Sequence, residues 1–488
     1  MFHAWQNARQ VWDRITGCWK LRGPMNWFRV VCVVVCLSVA PDARAESPQG
    51  WRRNGSGVYP NTDPPLEWSV DNNVLWKAPM PARSNALPVL TGDRIFVCAE
   101  PFTLICLDAE DGRERWRQQN DFKTLTDPSR WKVIAAELAK AKVIWEQVAE
   151  YEKEVERLQK ILEDRDDPEA EAQLEQLHEQ IDQENEKLAA FPLAVRYRLP
   201  ITQPQYNGYT TATPVTDGKH IWAVFGNRAV VCYDLEGVRV WSRVLPDLPQ
   251  AMWGHSSSPL LVEGKLIINI DATTALDAAT GEIVWRAKYG QSWGSGVRTQ
   301  LGGDAAVLLA NGRWLRARDG RIMARVPPLA DASPVVVGDT AYYVGINAVA
   351  YALPERALDR LELKERWTAR PKGSRFYASP VVYDGLIYTV STQHVLTVLD
   401  ARTGAQVYAR RLKLGSEPVW ASLCVAGDCV YISSRDGVTV VLAAGKKYRE
   451  LARNELEYFI ATPVFTGNRM YVRTSDYLYC IGGGAESR

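Results

Sequence analysis

A pattern that recurs about every 35 to 46 residues constrains the fold of this chain most strongly. Each copy opens with small residues and a Pro, runs through apolar residues to a Gly, and closes with an apolar stretch ending in Asp, then Gly and Trp. The third copy shows the whole pattern as Ser258-Pro259-Leu260, Gly264, Leu276-Asp277, Gly281 and Trp285. Short alternating strands separated by Gly, Asp and Asn turns at this spacing predict a β-propeller and not a helical solenoid.

Eight copies can be counted, although two of them are eroded. The fourth copy keeps Gly303 and Arg318-Asp319-Gly320 without the Pro, and the seventh, from Ser422, lacks both Pro and Trp. The eighth stops at Ile481 before any Trp, whereas Asn73 to Lys77 has the character of a Trp-bearing strand with no repeat of its own. We therefore predict an all-β, eight-bladed propeller whose last blade is completed by that early strand.

The predicted domain boundaries follow from this count. They are a signal peptide at 1–45, an N-terminal linker at 46–67, a closing strand with blade 1 at 68–116, an insertion at 117–204, blades 2 to 8 at 205–481 and a tail at 482–488. The chain has 18 Trp residues, an unusually high number, and the repeat explains most of them. A large ring on the outer strand of each blade would dock on the next blade. The predicted docking residues are Trp76, Trp116, Trp241, Trp285, Trp367 and Tyr408.

The closing motif, seen in Asp108 to Trp116 and again in Asp277 to Trp285, resembles the tryptophan-docking repeat of the pyrroloquinoline-quinone (PQQ) propeller superfamily. The resemblance covers roughly residues 68–116 and 205–481. Two branches of the superfamily are relevant: the quinoprotein alcohol dehydrogenases, and the non-catalytic propeller lipoprotein of the outer-membrane β-barrel assembly machinery. Resemblance to the dehydrogenases would imply PQQ, a calcium ion held by carboxylate and amide oxygens, a catalytic Asp and often a disulfide between adjacent cysteines.

The sequence has no adjacent cysteine pair, so we expect the non-catalytic branch and no cofactor, with PQQ and calcium only under the alternative of a divergent dehydrogenase. Two departures from the assembly-machinery branch are the missing lipid-anchor cysteine and a large insertion. The four histidines after the leader, His178, His220, His255 and His394, are too dispersed for a metal cluster. Neither a His-Glu-x-x-His nor a Gly-x-Ser-x-Gly motif occurs, so we predict no catalytic residues and no metal site.

The N-terminal 45 residues resemble an export signal. Met25 to Arg29 precedes the apolar run Val30 to Val39, and Ala43-Arg44-Ala45 offers small residues at a cleavage point. The run is well below the ~20 residues that span a bilayer, so we expect cleavage near Ala45, with Met25 as a possible true start, and no transmembrane segment in the mature chain. After residue 45 the chain has 52 basic and 55 acidic residues, which gives no argument for nucleic-acid binding. We predict an extracytoplasmic protein, periplasmic or secreted.

Between Trp116 and Tyr206 the repeat is interrupted by a segment rich in Glu, Lys, Ala and Leu. Asp127-Pro128 predicts the start of one helix, and Asp166-Asp167-Pro168 separates it from a second. The apolar residues at steps of three and four are Ala141, Ile144, Val148, Tyr151, Val155, Leu158 and Leu162, then Leu174, Leu177, Ile181, Leu188 and Phe191. This spacing predicts an antiparallel coiled-coil hairpin, whose first helix would extend roughly 57 Å. The hairpin either packs back on the propeller or forms an arm that binds a partner or dimerises.

Aromatic and basic residues occur just before the innermost strand of several blades, where they would surround one mouth of the central channel. They are Tyr209, Trp253, His255, Trp293, Arg298, Arg375, Phe376, Tyr377, Trp420, Tyr458 and Phe459. One interpretation is that they plug the channel and pack between blades. The other is a binding surface for a ligand or peptide, because Trp, Tyr and Arg are enriched in binding hot spots. The insertion would open on this same face.

Six cysteines follow the leader. Cys106, Cys232 and Cys480 stand at the repeat position that Ala275 fills in the third copy, which predicts small core residues. Cys424 and Cys429 flank a turn, and a disulfide between them is a hypothesis for an oxidising compartment.

Taken together, these features predict an exported, non-catalytic scaffold that binds a protein partner through its hairpin and propeller face. The alternatives are a divergent PQQ-dependent alcohol dehydrogenase and a propeller that binds carbohydrate or another small ligand at its mouth.

Overall fold

The computed structural model describes residues 49–200, 202–203, 206–246, 253–270, 272–290, 292–356 and 360–482. The predicted signal peptide, the cleavage point near Ala45, the alternative start at Met25 and tail residues 483–488 lie outside this range. No helix within it combines the length and the apolar character needed to cross a bilayer.

The described residues form 33 strands, and all but two of them belong to the repeats. The two early strands are β1 (Val58–Tyr59) and β2 (Val74–Pro79). Sheet 1 contains β3 (Val89–Thr91), β4 (Arg94–Ala99), β5 (Thr103–Asp108) and β6 (Glu114–Gln119). Sheet 2 contains β7 (Val215–Thr216), β8 (His220–Val224), β9 (Ala229–Asp234) and β10 (Arg239–Val244). Sheet 3 contains β11 (Leu260–Val262), β12 (Lys265–Asn269), β13 (Thr273–Asp277) and β14 (Ile283–Ala287).

The later repeats give five more sheets. Sheet 4 contains β15 (Val297–Leu301), β16 (Asp304–Leu308), β17 (Arg313–Arg316) and β18 (Ile322–Arg325). Sheet 5 contains β19 (Val335–Val337), β20 (Thr340–Val344), β21 (Ala348–Ala352) and β22 (Lys364–Ala369). Sheet 6 contains β23 (Val381–Tyr383), β24 (Leu386–Val390), β25 (Val395–Asp400) and β26 (Gln406–Arg411). Sheet 7 contains β27 (Cys424–Ala426), β28 (Cys429–Ser433), β29 (Val438–Ala443) and β30 (Glu450–Glu455). Sheet 8 contains β31 (Val464–Thr466), β32 (Arg469–Arg473) and β33 (Tyr477–Gly482).

Each repeat folds as an antiparallel meander, and the sheets pack face to face in a closed ring. The inner strands β3, β7, β11, β15, β19, β23 and β27 contact one another in that order. One apolar cluster joins sheets 7 and 8 through Tyr431 and Phe465, and another joins sheets 8 and 1 through Leu478 and Ile95. The prediction of a mostly-β propeller is confirmed.

Sheet 8 takes its outer strand from the start of the repeat region. Strand β2 pairs antiparallel with β33, and Trp76 lies opposite Cys480. The last repeat therefore obtains from β2 the Trp-bearing strand that its own sequence lacks.

The segment preceding Trp68, expected to be a linker, is instead built into the ring. Strand β1 pairs in parallel with Val425 and Ala426 of sheet 7, and Gln49 forms a bridge to Thr216 of sheet 2. The side chain of Arg52 is fully buried and donates to the carbonyls of Pro380 (2.7 Å) and Leu423 (2.6 Å). These contacts carry the segment across one end of the channel. The linker prediction was wrong because two-residue pairing and a single buried Arg leave no periodic pattern to detect.

The insertion contains four helices, α1 (Phe122–Leu125), α2 (Pro128–Asp164), α3 (Pro168–Lys187) and α4 (Pro192–Tyr197), with a 3₁₀ turn at Leu188–Ala190. Asp127 and Asp167 accept backbone N–H groups at the starts of α2 and α3, each followed by a Pro in the first turn. The buried residues of α2 are Ile134, Ala141, Ile144, Val148, Val155 and Leu158. Helix α2 packs chiefly on α3 and α4. The predicted seam of the second helix runs past its true end, because Leu188 and Phe191 lie beyond α3.

At the rim of the ring, each docking Trp lies over a Gly of the following sheet, and four of the five also donate a hydrogen bond to that sheet. The indole N–H groups donate at 2.9 to 3.0 Å from Trp116 to Leu235, from Trp241 to Ala278, from Trp285 to Ala317 and from Trp367 to Ala401, each to a backbone carbonyl. The same rings, and that of Trp76, lie over Gly237, Gly281, Gly320, Gly404 and Gly112. A β-bulge precedes the ring in each of these strands and sets its direction. Tyr408 occupies the same position in sheet 6, opposite Val398.

Three of the cysteines occupy equivalent positions in their sheets. Cys106, Cys232 and Cys480 lie directly opposite Trp116, Trp241 and Trp76, where only a small side chain leaves room for the indole. Burial raises the pKa of the Cys106 and Cys232 thiols to about 12 and that of Cys480 to about 11.

The proposed disulfide between Cys424 and Cys429 is not formed, and both thiols are free. The hairpin register pairs Cys424 with Tyr431 and Cys429 with Ala426, so the two cysteines are diagonal neighbours. Diagonal positions on an antiparallel pair are ~7–8 Å apart, beyond the usual Cα separation of a disulfide.

A candidate binding cavity on the propeller axis

The inner strands are joined around the axis by side-chain hydroxyls. The residue that precedes the repeat Pro, or its equivalent, lies next to the same residue of the neighbouring sheet, and we call the eight positions the axial ring. They are Leu87, Thr213, Ser258, Ser295, Ser333, Ser379, Ser422 and Thr462. In six steps the backbone N–H of one member donates to the hydroxyl oxygen of the next, at 2.8 to 3.1 Å. Small hydroxyl residues therefore act as links between sheets.

Two joints of the axial ring have no such bond among the described residues. Thr462 faces Leu87, which has no hydroxyl. The other joint is between Ser295 and Ser333, where the Ser333 hydroxyl is buried, 1% of the residue being exposed, and has no hydrogen-bond partner. An unsatisfied buried hydroxyl is unfavourable, so this position differs from its equivalents.

One residue from each sheet forms a second layer above the axial ring, two residues earlier in each repeat. We call this the mouth layer; it contains Asn85, Thr211, Ser256, Trp293, Asp331, Tyr377, Trp420 and Ile460. All eight line a cavity of about 420 Å³, which also contacts Trp51 of the N-terminal segment. Because that segment crosses the opposite end of the channel, the cavity is a bowl and not a through-passage.

Aromatic rings form most of one side of the bowl. Tyr206, on the chain returning from the insertion, stacks on Trp420 with ring centroids 5.9 Å apart and meets Trp253 edge-on at 4.9 Å. Tyr377 lies 5.1 Å from Trp420. The guanidinium of Arg435 lies 4.6 Å from the Trp420 ring and pairs with Glu417 at 3.1 Å. These contacts fix the aromatic wall in one arrangement.

Among the described residues, the charged side chains that line the bowl are those of Arg375 and Asp331, and they form a pair. Arg375 lies over the Tyr377 ring at 4.6 Å, and its Nε is 3.3 Å from a carboxylate oxygen of Asp331. Burial raises the pKa of Asp331 above its ordinary value, and the neighbouring guanidinium opposes the shift. The pair leaves the lining close to electrically neutral.

A partly buried carboxylate fastens the returning chain to sheet 1. Glu100 accepts hydrogen bonds from the backbone N–H groups of Tyr209 (2.9 Å) and Thr210 (3.0 Å) and from the Thr210 hydroxyl (2.7 Å). Burial raises the pKa of Glu100, although these hydrogen bonds act in the opposite direction. Together with Arg83 and Asn85, which donate to the carbonyl of Tyr206, this clamp holds Tyr206 at the cavity.

The structure brings five of the eleven predicted mouth residues together and places six elsewhere. The five that line the cavity are Trp253, Trp293, Arg375, Tyr377 and Trp420; the six that do not are Tyr209, His255, Arg298, Phe376, Tyr458 and Phe459.

The residues outside the cavity are explained by alternation along an extended chain. His255 lies three residues before the axial ring, one step out of phase with the mouth layer, as do the buried Phe376 and Phe459. Burial lowers the pKa of His255 to about 4. Arg298 lies three residues beyond Ser295 on β15, in a shallow pocket with Arg53 and Gly55 at the opposite end of the channel.

Tyr209 stands four residues before the axial ring. It packs on Phe102 at 5.0 Å, and its hydroxyl donates to the carbonyl of Pro200. Tyr458 lies outside the cavity lining and accepts from Arg435.

Sequence reasoning missed Trp51, Tyr206, Asp331 and the axial ring. Asp331 was detectable, because it stands two residues before Ser333-Pro334, as Tyr377 stands two before Ser379-Pro380. Trp51 and Tyr206 carry no such signal, since both lie outside the repeats.

The comparisons with known proteins agree with this architecture. The family model for the outer membrane protein assembly factor BamB matches residues 68–130 and 271–481, more than half of the chain. The chain belongs to this family of PQQ-like propellers. Residues 131–270, which contain most of the hairpin, all of sheet 2 and the first two strands of sheet 3, lie outside the matched residues. No curated protein sequence matches this chain.

Among solved structures, BamB from Moraxella catarrhalis is 11% identical, covers 83% of this chain and 98% of its own, and superposes with a TM-score of 0.53. The computationally designed Ika8 protein is 9% identical, covers 84% and 99%, and gives 0.50. Quinohemoprotein alcohol dehydrogenase from Comamonas testosteroni is 11% identical, covers 86% and 79%, and gives 0.47. At these identities the likeness concerns the fold alone.

The residues around the bowl do not fit a PQQ and calcium pair. PQQ carries three carboxylates, and calcium requires several oxygen ligands, usually including carboxylates. Within the part of the chain that the structure describes, the lining offers one carboxylate, Asp331, which is already paired with the guanidinium of Arg375. Among the described residues no group of three His, Cys, Asp or Glu side chains is placed to hold a metal ion.

Proposed function

We propose that this chain is an exported, non-catalytic, eight-bladed propeller that serves as a protein-interaction scaffold, with the coiled-coil hairpin as its partner-binding arm. Each sheet is taken as one blade. The description of the family model as an outer membrane protein assembly factor supports a partner in the cell envelope. The observation that carries the proposal is that the described contacts between the hairpin and the propeller lie at the base of the hairpin.

The base of the hairpin is firmly attached to sheet 2. Phe122, Ile134 and Tyr197 form a buried cluster against which Val244 of β10 packs. Glu137 of α2 accepts backbone N–H groups at the start of α4, at 2.9 Å from Leu193. Beyond this base, α2 packs on α3, and both helices present their remaining faces to solvent. A rigid arm of this kind suits recognition at a distance from the ring.

The exposed surface of the hairpin has a strongly acidic part. Helix α3 carries seven acidic residues and one Lys, whereas on α2 several acidic residues pair with Lys or Arg one turn away, as in Lys153 with Glu150 and Arg157 with Glu154. Uncompensated carboxylates on one helix favour a partner with a basic surface, which would be recognised in a salt-dependent way. We therefore propose that α3 is the face that meets the partner.

Photo-crosslinking tests this proposal. A photoreactive residue at Val143 of α2, 67% exposed, should capture an envelope protein in cells, and the same residue at Val238 on the sheet 2 rim, 63% exposed, should not. Because the two sites are equally accessible, a difference between them reports on location. Equal capture at both positions would argue against the hairpin as the binding arm.

Charge reversal on α3 provides the second arm of the test. Replacing Glu171, Glu175 and Glu179 together by Lys should abolish the Val143 crosslink while the ring stays folded, as judged by its thermal transition. Helical content should also stay unchanged, because these side chains are exposed. A crosslink that survives the reversal would show that the acidic helix does not form the interface.

A further inference from the structure

The floor of the axial cavity is a set of hydroxyl groups whose hydrogens are not used by the protein. Ser379, Ser422 and Thr462 each accept one backbone N–H through the side-chain oxygen. Among the described hydrogen bonds, none of these O–H groups donates to a protein acceptor. Ser333 neither donates nor accepts through its hydroxyl, although it is buried and lines the cavity. The floor therefore presents several neutral donors and one complete hydroxyl to whatever occupies the bowl.

The charges of the wall select against an ionic ligand. An anion would meet the donors of the floor but also the carboxylate of Asp331, 12% of whose side chain is exposed. A cation would have to compete with Arg375 for that carboxylate. A neutral ligand that both donates and accepts hydrogen bonds avoids both costs and can bond to Asp331, Arg375 and the floor together.

Two of the wall aromatics have ring surface available. Trp253 is 42% exposed, and Trp293, in the mouth layer, forms no ring pair with another described aromatic residue. Trp420 is fixed between Tyr206 and Arg435 and serves as structure. Indole faces are apolar platforms that suit the C–H face of a saturated ring.

We propose that the axial cavity binds a saccharide unit, with the C–H face of the sugar on Trp253 or Trp293 and its hydroxyls on Ser333, Asp331 and Arg375. The volume of about 420 Å³ lies in the range of about 300–1,000 Å³ found for small-ligand pockets. Saccharides are neutral and carry donors and acceptors around a ring with apolar faces, which matches the floor, the charge pair and the wall. The site is distinct from the protein-binding arm.

Titration of the purified full chain with glucose, N-acetylglucosamine, maltose, cellobiose and chitobiose tests the proposal. Binding would be followed by saturation-transfer NMR and calorimetry. At least one sugar should bind saturably, and Trp293→Ala should weaken it by about tenfold or more, whereas Trp145→Ala, in the hairpin, should not. Ser333→Ala should weaken binding by roughly three- to tenfold through the loss of one hydrogen bond.

Ser434→Ala is the matched control for Ser333→Ala. Ser434 is also buried with an unpartnered hydroxyl, but it does not line the cavity, so its loss should leave the affinity unchanged. Saturable binding of N-acetyl-lysine methylamide or of a Trp-containing tripeptide, with no sugar bound, would overturn the proposal in favour of a cation or peptide site. Absence of binding by every sugar, or sugar binding that Trp293→Ala and Ser333→Ala leave intact, would also overturn it. None of these outcomes depends on whether the hairpin binds a protein.

Discussion

The joint between sheets 2 and 3 and the joint between sheets 4 and 5 bring together the same kinds of strands in different ways. At the first joint, Trp241 lies over Gly281 and donates to Ala278 at the rim, and Thr213 donates to the Ser258 hydroxyl at the axis. At the second joint, Ala324 occupies the rim position, and no axial hydroxyl bond is seen among the described residues.

At the second joint the large ring has moved by one strand. Trp314 lies on β17, the third strand of its sheet, directly opposite Ala324 on the outer strand. In sheet 2 the order is reversed, because the small residue Cys232 lies on the third strand and Trp241 on the outer strand. The indole of Trp314 donates to the Tyr343 hydroxyl at 3.0 Å, which in turn donates to the carbonyl of Leu309. Both sheets therefore pair one large ring with one small residue across the same two strands, so the packed volume is similar although the ring lies on a different strand.

At the second joint, polar groups near the axis face the cavity and do not link the two sheets. Asp331 and the unpartnered Ser333 both belong to the inner edge of sheet 5. Elsewhere in the ring the corresponding hydroxyls stabilise contacts between sheets. The contrast teaches that Ser333 can serve the cavity alone, whereas the hydroxyls of Ser379, Ser422 and Thr462 also hold neighbouring sheets together.

The largest effect is expected from removing the ring of the second joint. Trp314 is fully buried, and Trp241 only partly, so Trp314→Ala should lower the free energy of unfolding by about 4–5 kcal/mol and Trp241→Ala by about 3 kcal/mol. Urea denaturation of the two variants measures the difference. A larger loss for Trp241→Ala would mean that the rim docking, and not the buried ring, dominates the joints.

A pH-dependent effect is expected on the axial side of the first joint. Burial lowers the pKa of His255 in the folded state to about 4, whereas in the unfolded chain its pKa has the ordinary value of about 6.5. As the pH falls below 6.5, the unfolded chain therefore takes up a proton before the folded protein does. Stability should therefore be full above pH 6.5 and fall by up to about 3 kcal/mol as the pH decreases towards 4.

His255→Phe should remove this part of the pH dependence, because Phe occupies the equivalent position in sheets 6 and 8 as Phe376 and Phe459. The measurement is the midpoint of urea unfolding at several pH values. Identical pH profiles for the wild type and the variant would show that His255 takes up a proton as readily in the folded state as in the unfolded state.

These two cases show how far the sequence alone reaches. Trp241, Gly281 and Asp277 belong to a pattern repeated along the chain, so their places in the fold were predictable. Trp314 was not, because it replaces the outer-strand Trp of an eroded copy and breaks the pattern at both positions. The same erosion explains the misplacement of Arg298, since the fourth copy has no Pro to mark where its inner strand begins.

The cavity was predictable only in part, because its composition depends on which face of an extended chain points to the axis. A window of six residues before each inner strand collected Trp420 and Tyr377 but also His255, which points away. Tyr206 and Trp51 reach the cavity from outside the repeats, by contacts between residues far apart in sequence, and no local pattern records such contacts.

A smaller effect separates ring contact from backbone strain at the rim. Gly281 has φ +72°, and a Cβ there would lie 2.5 Å from the Trp241 ring, whereas Gly264 in the same sheet has φ +69° and open space around it. Both Ala substitutions incur the cost of a left-handed conformation, about 1 kcal/mol, but only Gly281→Ala also displaces the indole. Gly281→Ala should therefore be the more destabilising by about 2 kcal/mol in urea unfolding. Equal losses would show that the ring can shift without cost.

The smallest effect compares the axial hydroxyls of the two joints directly. Ser258→Ala removes the acceptor of the Thr213 N–H inside the ring and should cost about 1–2 kcal/mol, because that buried donor is left unpaired. Ser333→Ala removes a hydroxyl that has no partner, so the free energy of unfolding should stay the same or rise by a few tenths of a kcal/mol. Both are single-atom deletions at equivalent positions, and thermal and urea unfolding can be read on the same scale. If Ser333→Ala lowered the free energy of unfolding as much as Ser258→Ala, the Ser333 hydroxyl would stabilise the ring after all. Ser333 would then not differ from the other axial hydroxyls, and the contrast between the two joints would fail.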